Sequence, residues 1–185
     1  MKEWTRVLAA ADAAAKWHVH QRRKGPGQEP YLNHLLEVAS LIAQATEGND
    51  VELVIAALLH DAIEDQEVPA SIIAERWGSA VAELVLEVTD DKTLSKEDRK
   101  QRQIDEAPNK TPRAKLLKLA DKTSNLRSIA AGPPADWSVK RRLEYADWAE
   151  QVVSRLTPIN RWLEGEFATA LGMARQAIAL SPGRS

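Results

Sequence analysis

The feature that most constrains this chain is a short apolar run that ends in charged side chains. Residues 54–59 contain no Gly or Pro, and a run of this kind predicts a buried helix. His60 and Asp61 follow at once. If the helix continues, Glu64 lies one turn above His60, and Asp65 lies likewise above Asp61. Charged groups after a buried run are costly unless they are paired, and the partner is either a metal ion or solvent at a helix end.

Composition favours a helical globular protein. Of the 185 residues, 44% are apolar, a share that is ordinary for a globular protein and too high for a disordered one. Ala and Leu dominate the apolar set and runs of Val and Ile are short, which favours helices. We therefore predict an all-α bundle, with one domain over residues 1–180 and a frayed tail over residues 181–185.

Charge and cysteine content argue against several classes of partner and site. The formal net charge is −2 and no basic stripe with interleaved aromatic residues is present, so we expect neither nucleic acid nor a membrane as partner. The chain has no cysteine, which excludes disulfides and cysteine-ligated metal sites. It also has no apolar stretch long enough for a signal peptide or a transmembrane helix. These features predict a cytoplasmic protein.

Any anionic ligand must then be bound by a local basic cluster. Arg22, Arg23 and Lys24 precede a loop, up to residue 30, that is rich in Gly and Pro. Three cations beside a flexible loop can bind phosphate, or can simply stabilise the C-terminal end of a helix. A second charged segment, residues 95–106, is either a solvated helix face or a lid that carries cations.

Two further polar side chains lie on predicted helices. His34 is in the first turn of the second helix, among apolar neighbours. Asp121 lies on the inner face of a helix predicted over residues 113–129, where a carboxylate needs a partner. That partner is either a metal ion or a neighbouring lysine, Lys118 or Lys122.

Two imidazoles and two carboxylates, those of His34, His60, Asp61 and Asp121, form a ligand set that suits a divalent first-row metal ion. With the segments around them, the chain resembles the HD-domain metal-dependent phosphohydrolases. More narrowly, it is similar to the RelA/SpoT-type (p)ppGpp hydrolases, including stand-alone small alarmone hydrolases such as the animal SpoT homologue. The matching segments are residues 23–24 (RK), 30–34 (PYLNH), 56–65 (AALLHDAIED), 88–94 (VTDDKTL) and 118–127 (KLADKTSNLR).

The resemblance implies an HD-domain helical bundle that binds one Mn²⁺, with Zn²⁺ or Fe²⁺ as alternatives. It implies hydrolysis of the 3′-pyrophosphate of ppGpp or pppGpp to give GDP or GTP and pyrophosphate. By motif position, the implied metal ligands are His34, His60, Asp61 and Asp121. Glu64 and Asp65 would orient the attacking water and transfer protons. The implied nucleotide-binding residues are Arg23, Lys24, Tyr31, Asn125, Arg141 and Tyr145.

Two residues depart from the pattern of that family. Leu35 stands where the family usually has proline, which changes the start of the helix. Ser124 stands where the family often has a larger, ring-bearing residue. A smaller side chain at this position predicts a wider base pocket and a different selectivity for guanine.

Two other functions would use the same residues. One is a different HD phosphohydrolase, such as a 5′-nucleotidase or a phosphatase that acts on the 2′- or 3′-phosphate of a nucleotide such as NADPH. The other is a helical module that binds a nucleotide or a protein without turnover, although the presence of both Glu64 and Asp65 argues against it. The products formed from ppGpp and from NADPH distinguish the three.

Overall fold

A computed structural model describes residues 2–134 and 136–180 of the protein. Over these residues the fold is all-α, as predicted, and the extended pairing is a single antiparallel bridge between Arg22 and Pro30. The helices are α1 (Glu3–Trp17), α2 (Leu32–Ala45), α3 (Val51–Leu59), α4 (Ala62–Gln66), α5 (Ala70–Trp77), α6 (Ser79–Val88), α7 (Lys96–Glu106), α8 (Pro112–Ala131), α9 (Val139–Leu156) and α10 (Arg161–Leu180).

Within the described ranges, none of these helices combines the length and the apolar character needed to cross a bilayer. The predicted tail, residues 181–185, lies outside the described residues, and the single domain over residues 1–180 stays a prediction.

Local signals set where several helices begin and end. The side chain of Asp50 accepts a hydrogen bond from the backbone N–H three residues ahead (3.0 Å) and so caps α3. The hydroxyl groups of Ser95, Thr111 and Ser138 do the same at the starts of α7, α8 and α9. Gly78 has a φ of 100°, which residues with a Cβ rarely adopt, and it separates α5 from α6.

Three helices, α2, α3 and α8, form the centre of the bundle. α8 packs against α2, α6, α9 and α10, whereas α3 packs against α1, α2 and α6. Residues 55–59 of α3 are all buried, and Leu35 at the start of α2 is fully buried as well. Polar side chains that emerge from these three helices therefore meet inside the bundle.

The structure corrects the continuous helix predicted over residues 54–65. α3 ends at Leu59 and α4 begins at Ala62, so that His60 and Asp61 form the turn between them. At this helix end His60 Nδ1 bonds to the Ala57 carbonyl (2.8 Å), one of the carbonyls that a helix end leaves unpaired. Asp65 still lies one helical turn after Asp61, because its N–H donates to the Asp61 carbonyl (2.8 Å), whereas Glu64 and His60 belong to different helical segments.

The basic loop, residues 21–30, is closed at its base by backbone hydrogen bonds. The N–H of Arg23 donates to the carbonyl of Glu29 (2.8 Å), and the N–H of Tyr31 donates to the carbonyl of Gln21 (3.1 Å). Further along the loop, Gly25 touches the backbone just beyond α8, so closely that a Cβ there would lie 2.7 Å from the carbonyl oxygen of residue 132. The loop is thus held against the C-terminal end of α8.

Candidate active site

The four predicted metal ligands converge where α2, α8 and the α3–α4 turn meet. Asp121 Oδ1 lies 3.3 Å from His34 Nε2 and 3.9 Å from His60 Nε2. Asp61 Oδ2 lies 3.2 Å from His60 Nε2 and 3.8 Å from His34 Nε2. Ligand atoms of His34, His60 and Asp121 all lie within 4.8 Å of one another, a spacing that could hold a metal ion. The Asp61 carboxylate supplies a fourth donor at the same point.

The hydrogen bonds of the two imidazoles leave both Nε2 atoms facing the carboxylates. His60 Nδ1 must carry its proton, because its partner is the Ala57 carbonyl, which can only accept. His60 Nε2 is then a buried atom without a hydrogen-bond partner in the described part of the chain. His34 Nδ1 bonds instead to Ser124 Oγ (2.8 Å). Two nitrogen and two oxygen donors with one orphaned nitrogen fit a divalent first-row cation.

The electrostatics of the cluster also favour a positive charge at its centre. Burial lowers the pKa of His60, but the charges of Asp61 and Asp121 outweigh burial and raise it to about 9. Burial by itself would raise the pKa of the Asp61 carboxyl, but the two imidazoles hold it far below its usual range. The pKa of His34 is lowered, chiefly by burial. The carboxylates therefore stay ionised and attract a cation.

Two lysines that the sequence analysis treated only as competing partners of Asp121 are part of this site. Lys122 Nζ lies 2.9 Å from Asp121 Oδ2, while the other oxygen of that carboxylate faces the imidazoles. Lys118 is also buried, with Nζ 3.7 Å from Asp90 Oδ1, and burial lowers its pKa. The signal that could have found them was their spacing, since both lie one turn or less from Asp121 on α8.

The acidic pair is held from two sides. Glu64 Oε2 accepts a hydrogen bond from the backbone N–H of Asp90 (3.1 Å), and Glu64 Oε1 lies 3.9 Å from a guanidinium nitrogen of Arg99 on α7. Asp65 accepts hydrogen bonds from Gln21 Nε2 (2.8 Å) and Lys92 Nζ (3.3 Å). Helix α7 therefore brings one cation to the acidic pair, although none of its residues is buried, and a role of residues 95–106 as a lid stays a prediction.

Two cavities that share Tyr31, Glu64, Asp65 and Asn125 as lining residues lie around these groups. A small cavity of about 160 Å³ is lined by the ligands His60, Asp61 and Asp121 together with Lys118 and Lys122. A larger one of about 450 Å³ opens between the basic loop and α9. Its lining includes five of the six predicted nucleotide-binding residues and both acids, namely Arg23, Lys24, Tyr31, Asn125, Tyr145, Glu64 and Asp65.

A chain of hydrogen bonds ties the larger cavity to the metal ligands. Arg23 donates to Asn125 Oδ1 (3.0 Å), and Asn125 Nδ2 donates to Asp121 Oδ1 (2.6 Å). The Tyr31 hydroxyl donates to Asp61 Oδ2 (2.7 Å). Asn125 and Tyr31 thus line the cavity and also hold two of the carboxylates in place.

The other predicted nucleotide-binding residues differ in their exposure and in their partners. Lys24 is exposed on the loop, whereas burial raises the pKa of the Tyr145 phenol to about 12. Arg141 lies with its guanidinium over the ring of Trp137 (4.5 Å), and Trp137 lines the larger cavity. Arg141 also pairs with Asp136 (3.9 Å). Its role in nucleotide binding stays a prediction.

Ser124 is almost completely buried and does not stand open to the larger cavity. Its hydroxyl group contacts His34 Nδ1 and Glu37 Oε2. It lines a third cavity, of about 380 Å³, on the other side of Arg23. The predicted widening at position 124 therefore falls in this neighbouring space, and selectivity for guanine stays a prediction.

Comparison with known proteins gives the family. A model of the HD domain matches residues 10–147. The human guanosine-3′,5′-bis(diphosphate) 3′-pyrophosphohydrolase MESH1 is 46% identical over 162 residues, which are 88% of this chain and 90% of that protein. The protein of the same name from Drosophila melanogaster is 42% identical, over 82% of this chain and 84% of the relative.

Two further relatives indicate the same family. The guanosine-3′,5′-bis(diphosphate) 3′-pyrophosphohydrolase of Aquifex aeolicus is 35% identical over 77% of this chain, but the match spans 23% of that longer protein. A solved structure described as a metazoan ortholog of SpoT that hydrolyses ppGpp superposes with a TM-score of 0.87 at 38% identity, over 90% of this chain and 94% of the other. This chain therefore belongs to the HD-domain family, and within it to the group of the metazoan SpoT homologue.

Proposed function

We propose that this protein hydrolyses the 3′-pyrophosphate of ppGpp and pppGpp, giving GDP or GTP and pyrophosphate. The observation that carries this proposal is the composition of the larger cavity. Cations of the basic loop, an amide and two phenol rings line one space with two carboxylates, directly beside the cluster of imidazoles and carboxylates. A nucleotide with a diphosphate group needs these groups together.

The metal would be held by His34, His60, Asp61 and Asp121, and we propose Mn²⁺ as the ion. When bound there, such an ion acidifies water and stabilises negative charge on phosphate oxygens. The imidazole of His60 is suited to this role because its Nδ1–H is bonded to a backbone carbonyl, which leaves Nε2 as a lone-pair donor.

The acidic pair would move the protons. In the proposed reaction a water oxygen forms a bond to the phosphorus attached to the 3′ oxygen, and the bond between that phosphorus and the 3′ oxygen breaks. Glu64 would accept the proton of the attacking water and return it to the 3′ oxygen as that oxygen leaves, so that the products are the 3′ hydroxyl and pyrophosphate. Asp65 would orient the water through a carboxylate that Gln21 holds in place.

The cations and rings would bind the substrate. Arg23 and Lys24 would pair with phosphate oxygens, and Arg23 is already directed by its bond to Asn125. The ring of Tyr145 would form the wall of the cavity that contacts the nucleoside. We propose that residues 1–180 act as one domain and that the reaction takes place in the cytoplasm.

Product analysis tests the proposal. The purified protein is incubated separately with ppGpp, pppGpp and NADPH, with Mn²⁺ and with a chelator, and the products are separated by chromatography. We expect GDP or GTP with pyrophosphate, in the presence of Mn²⁺ and not with chelator. Orthophosphate from NADPH with ppGpp left intact would instead indicate a different HD phosphohydrolase. Binding of ppGpp without any product would indicate a binding module.

Two variants connect turnover to the proposed ligands. His60→Ala and Asp61→Ala should each lose bound Mn²⁺, measured by elemental analysis, together with hydrolysis. His20→Ala, which alters an exposed histidine outside the site, is the matched control and should keep both. Full activity in either ligand variant would refute the site.

A further inference from the structure

The two histidines of the cluster are held by different kinds of partner. His60 Nδ1 donates to the backbone carbonyl of Ala57, which a substitution elsewhere in the chain cannot remove. His34 Nδ1 contacts the hydroxyl of Ser124, a group that can either accept or donate. Whether His34 Nδ1 donates or accepts in this contact therefore depends on the direction of the hydroxyl hydrogen of Ser124.

Glu37 decides it. Ser124 Oγ lies 2.7 Å from Glu37 Oε2, and an ionised carboxylate can only accept, so the hydroxyl hydrogen points to Glu37. Ser124 Oγ is then left as an acceptor towards His34, 2.8 Å away, which puts the imidazole proton on Nδ1. With that proton on Nδ1, the Nε2 lone pair of His34 faces Asp121 Oδ1 at 3.3 Å.

The spacing of the residues along α2 and α8 places these side chains opposite one another. His34 and Glu37 are three residues apart on α2, and Ser124 and Arg127 are three residues apart on α8, so one turn of each helix faces the other. Arg127 bonds to Glu37 Oε1 (3.0 Å) and also to a carboxylate oxygen of Glu166 on α10. Glu37 is thus held at both oxygens, one by the hydroxyl and one by the guanidinium.

We infer that Ser124 and Glu37 are positioning residues that fix His34 in the Nδ1–H form and so set the metal affinity of the site. This inference rests on the proposed metal site. Histidine ligands in proteins are commonly oriented by a partner on the other ring nitrogen, and loss of that partner costs about 10- to 100-fold in metal affinity. In this chain that partner is a side-chain relay through Ser124, whereas for His60 it is the main chain.

The experiment compares Mn²⁺ affinity by isothermal titration calorimetry in the wild type and in Ser124→Ala. We expect about 10- to 100-fold weaker binding in Ser124→Ala and wild-type binding in Ser124→Thr, which keeps the hydroxyl at a position that lines the cavity of about 380 Å³. Glu37→Ala should weaken binding in the same direction. It also serves as a second variant, at a partly buried position, in case Ser124→Ala does not fold.

Two controls separate positioning from general loosening of the bundle. Thr123→Val removes another buried hydroxyl of α8. This hydroxyl donates to the carbonyl of Leu119, one turn earlier in the same helix. Glu29→Ala removes another acid that lines the same cavity as Glu37. Both should bind Mn²⁺ as the wild type does.

A spectroscopic measurement reads the relay directly. The ¹⁵N shifts of the His34 ring in the chelated protein should report a proton on Nδ1 in the wild type and in Ser124→Thr. In Ser124→Ala, Nδ1 loses its acceptor while Nε2 still faces the Asp121 carboxylate, so the shifts should report that the proton has moved to Nε2. A merely structural contribution of Ser124 would change the thermal midpoint without changing this signature.

The outcomes are distinct. Wild-type binding of Mn²⁺ with unchanged affinity in Ser124→Ala overturns the relay and leaves the metal site intact. Equal weakening in Ser124→Ala and Thr123→Val also overturns it. A wild type that binds no Mn²⁺ and does not differ from His34→Ala overturns the relay together with the proposed function.

Discussion

Glu64 carries its carboxyl group in a partly buried position beside other acids. Burial raises the pKa of this carboxyl group, and the charges of Asp90, Asp61 and Asp65 raise it further, against a lowering hydrogen bond from the backbone of Asp90. A base with a raised pKa binds its proton more readily at neutral pH than an ordinary glutamate does. The setting of Glu64 thus suits the role proposed for it.

This setting predicts the acidic limb of the pH–rate profile. If Glu64 must be ionised to accept a proton, activity rises with pH through the raised pKa of Glu64, above the range of an ordinary glutamate. Glu64→Gln should lower kcat by about 100-fold or more and remove that limb, with Mn²⁺ affinity retained. Glu67→Gln, at the exposed end of α4, is the control. A limb that persists in Glu64→Gln would assign the ionisation to another group.

Arg23 predicts a change in substrate binding. Its guanidinium lies in the larger cavity and donates to Asn125, so we expect Arg23→Ala to raise KM for ppGpp by about 10- to 100-fold through loss of charge-assisted hydrogen bonds to phosphate. Arg155 is exposed in the last turn of α9 and does not line this cavity, which makes Arg155→Ala the matched control. Steady-state kinetics at saturating Mn²⁺ measures both, and equal KM values would contradict the assignment of Arg23.

Asp121 shows how far residue-scale prediction reaches. Its position after an apolar stretch indicated that the carboxylate needs a partner, and the two candidate partners were a metal ion and a neighbouring lysine. In the structure one oxygen faces the imidazoles and the other pairs with Lys122. Sequence spacing could identify both partners, but it could not assign them to separate oxygens, because that depends on the rotamer and on Asn125.

At the scale of elements, the basic loop offers a test of whether its conformation affects substrate binding in the larger cavity. Gly25 lies against the backbone beyond α8, and a Cβ there would come within 2.7 Å of the carbonyl oxygen of residue 132. We expect Gly25→Ala to displace the loop and raise KM for ppGpp several-fold, with little change in the thermal midpoint because no core contact is lost.

Gly27 supplies the control for that experiment. A Cβ at Gly27 would lie 3.6 Å from the side chain of Glu29, an ordinary contact, so Gly27→Ala should bind ppGpp like the wild type. Equal kinetics in the two glycine variants would show that the close approach at Gly25 does not shape the cavity.

Helix boundaries were predictable where a side chain or glycine marks them and not where a turn is made by the site itself. The helix from Ser79 to Val88 follows from its apolar stripe and from Gly78 before it. The bend at His60 and Asp61 does not, because an apolar run without Gly or Pro predicts continuation. In the structure the His60 ring bonds to the Ala57 carbonyl at the end of α3, a contact that the sequence pattern does not reveal.

At the scale of the molecule, the cluster of buried ionisable groups makes stability depend on pH when metal is absent. The pKa of His60 rises from 6.5 to about 9 on folding, since its neighbouring carboxylates outweigh burial. The proton is held more tightly in the folded state. The stabilisation of the folded state by this proton is therefore complete below pH 6.5 and is lost as the pH rises towards 9.

We expect the free energy of unfolding of the chelated protein to fall over that window, by on the order of 3 kcal/mol. Urea denaturation at a series of pH values measures it. His60→Gln, which carries no titrating ring, should flatten the curve, and saturating Mn²⁺ should oppose the decline because the ion and the proton compete for the same nitrogen. A wild-type curve without slope between pH 6.5 and 9 would argue against the carboxylate field around His60.

The overall architecture was more accessible from the sequence than the cavity was. Helical periodicity and the abundance of Ala and Leu were enough for the all-α class. The larger cavity also depends on where α9 lies over the basic loop, which brings Tyr145 and Trp137 to residues more than a hundred positions earlier. No local pattern in the chain encodes that approach.

The distribution of the four ligand residues has a consequence for biosynthesis. The first lies at position 34 and the last at position 121, on helices that meet only when α8 docks on α2. The ribosome must therefore synthesise the chain past position 121 before the four proposed ligands can meet around one cation. A cation held by all four side chains could therefore not template the folding of the first helices during synthesis.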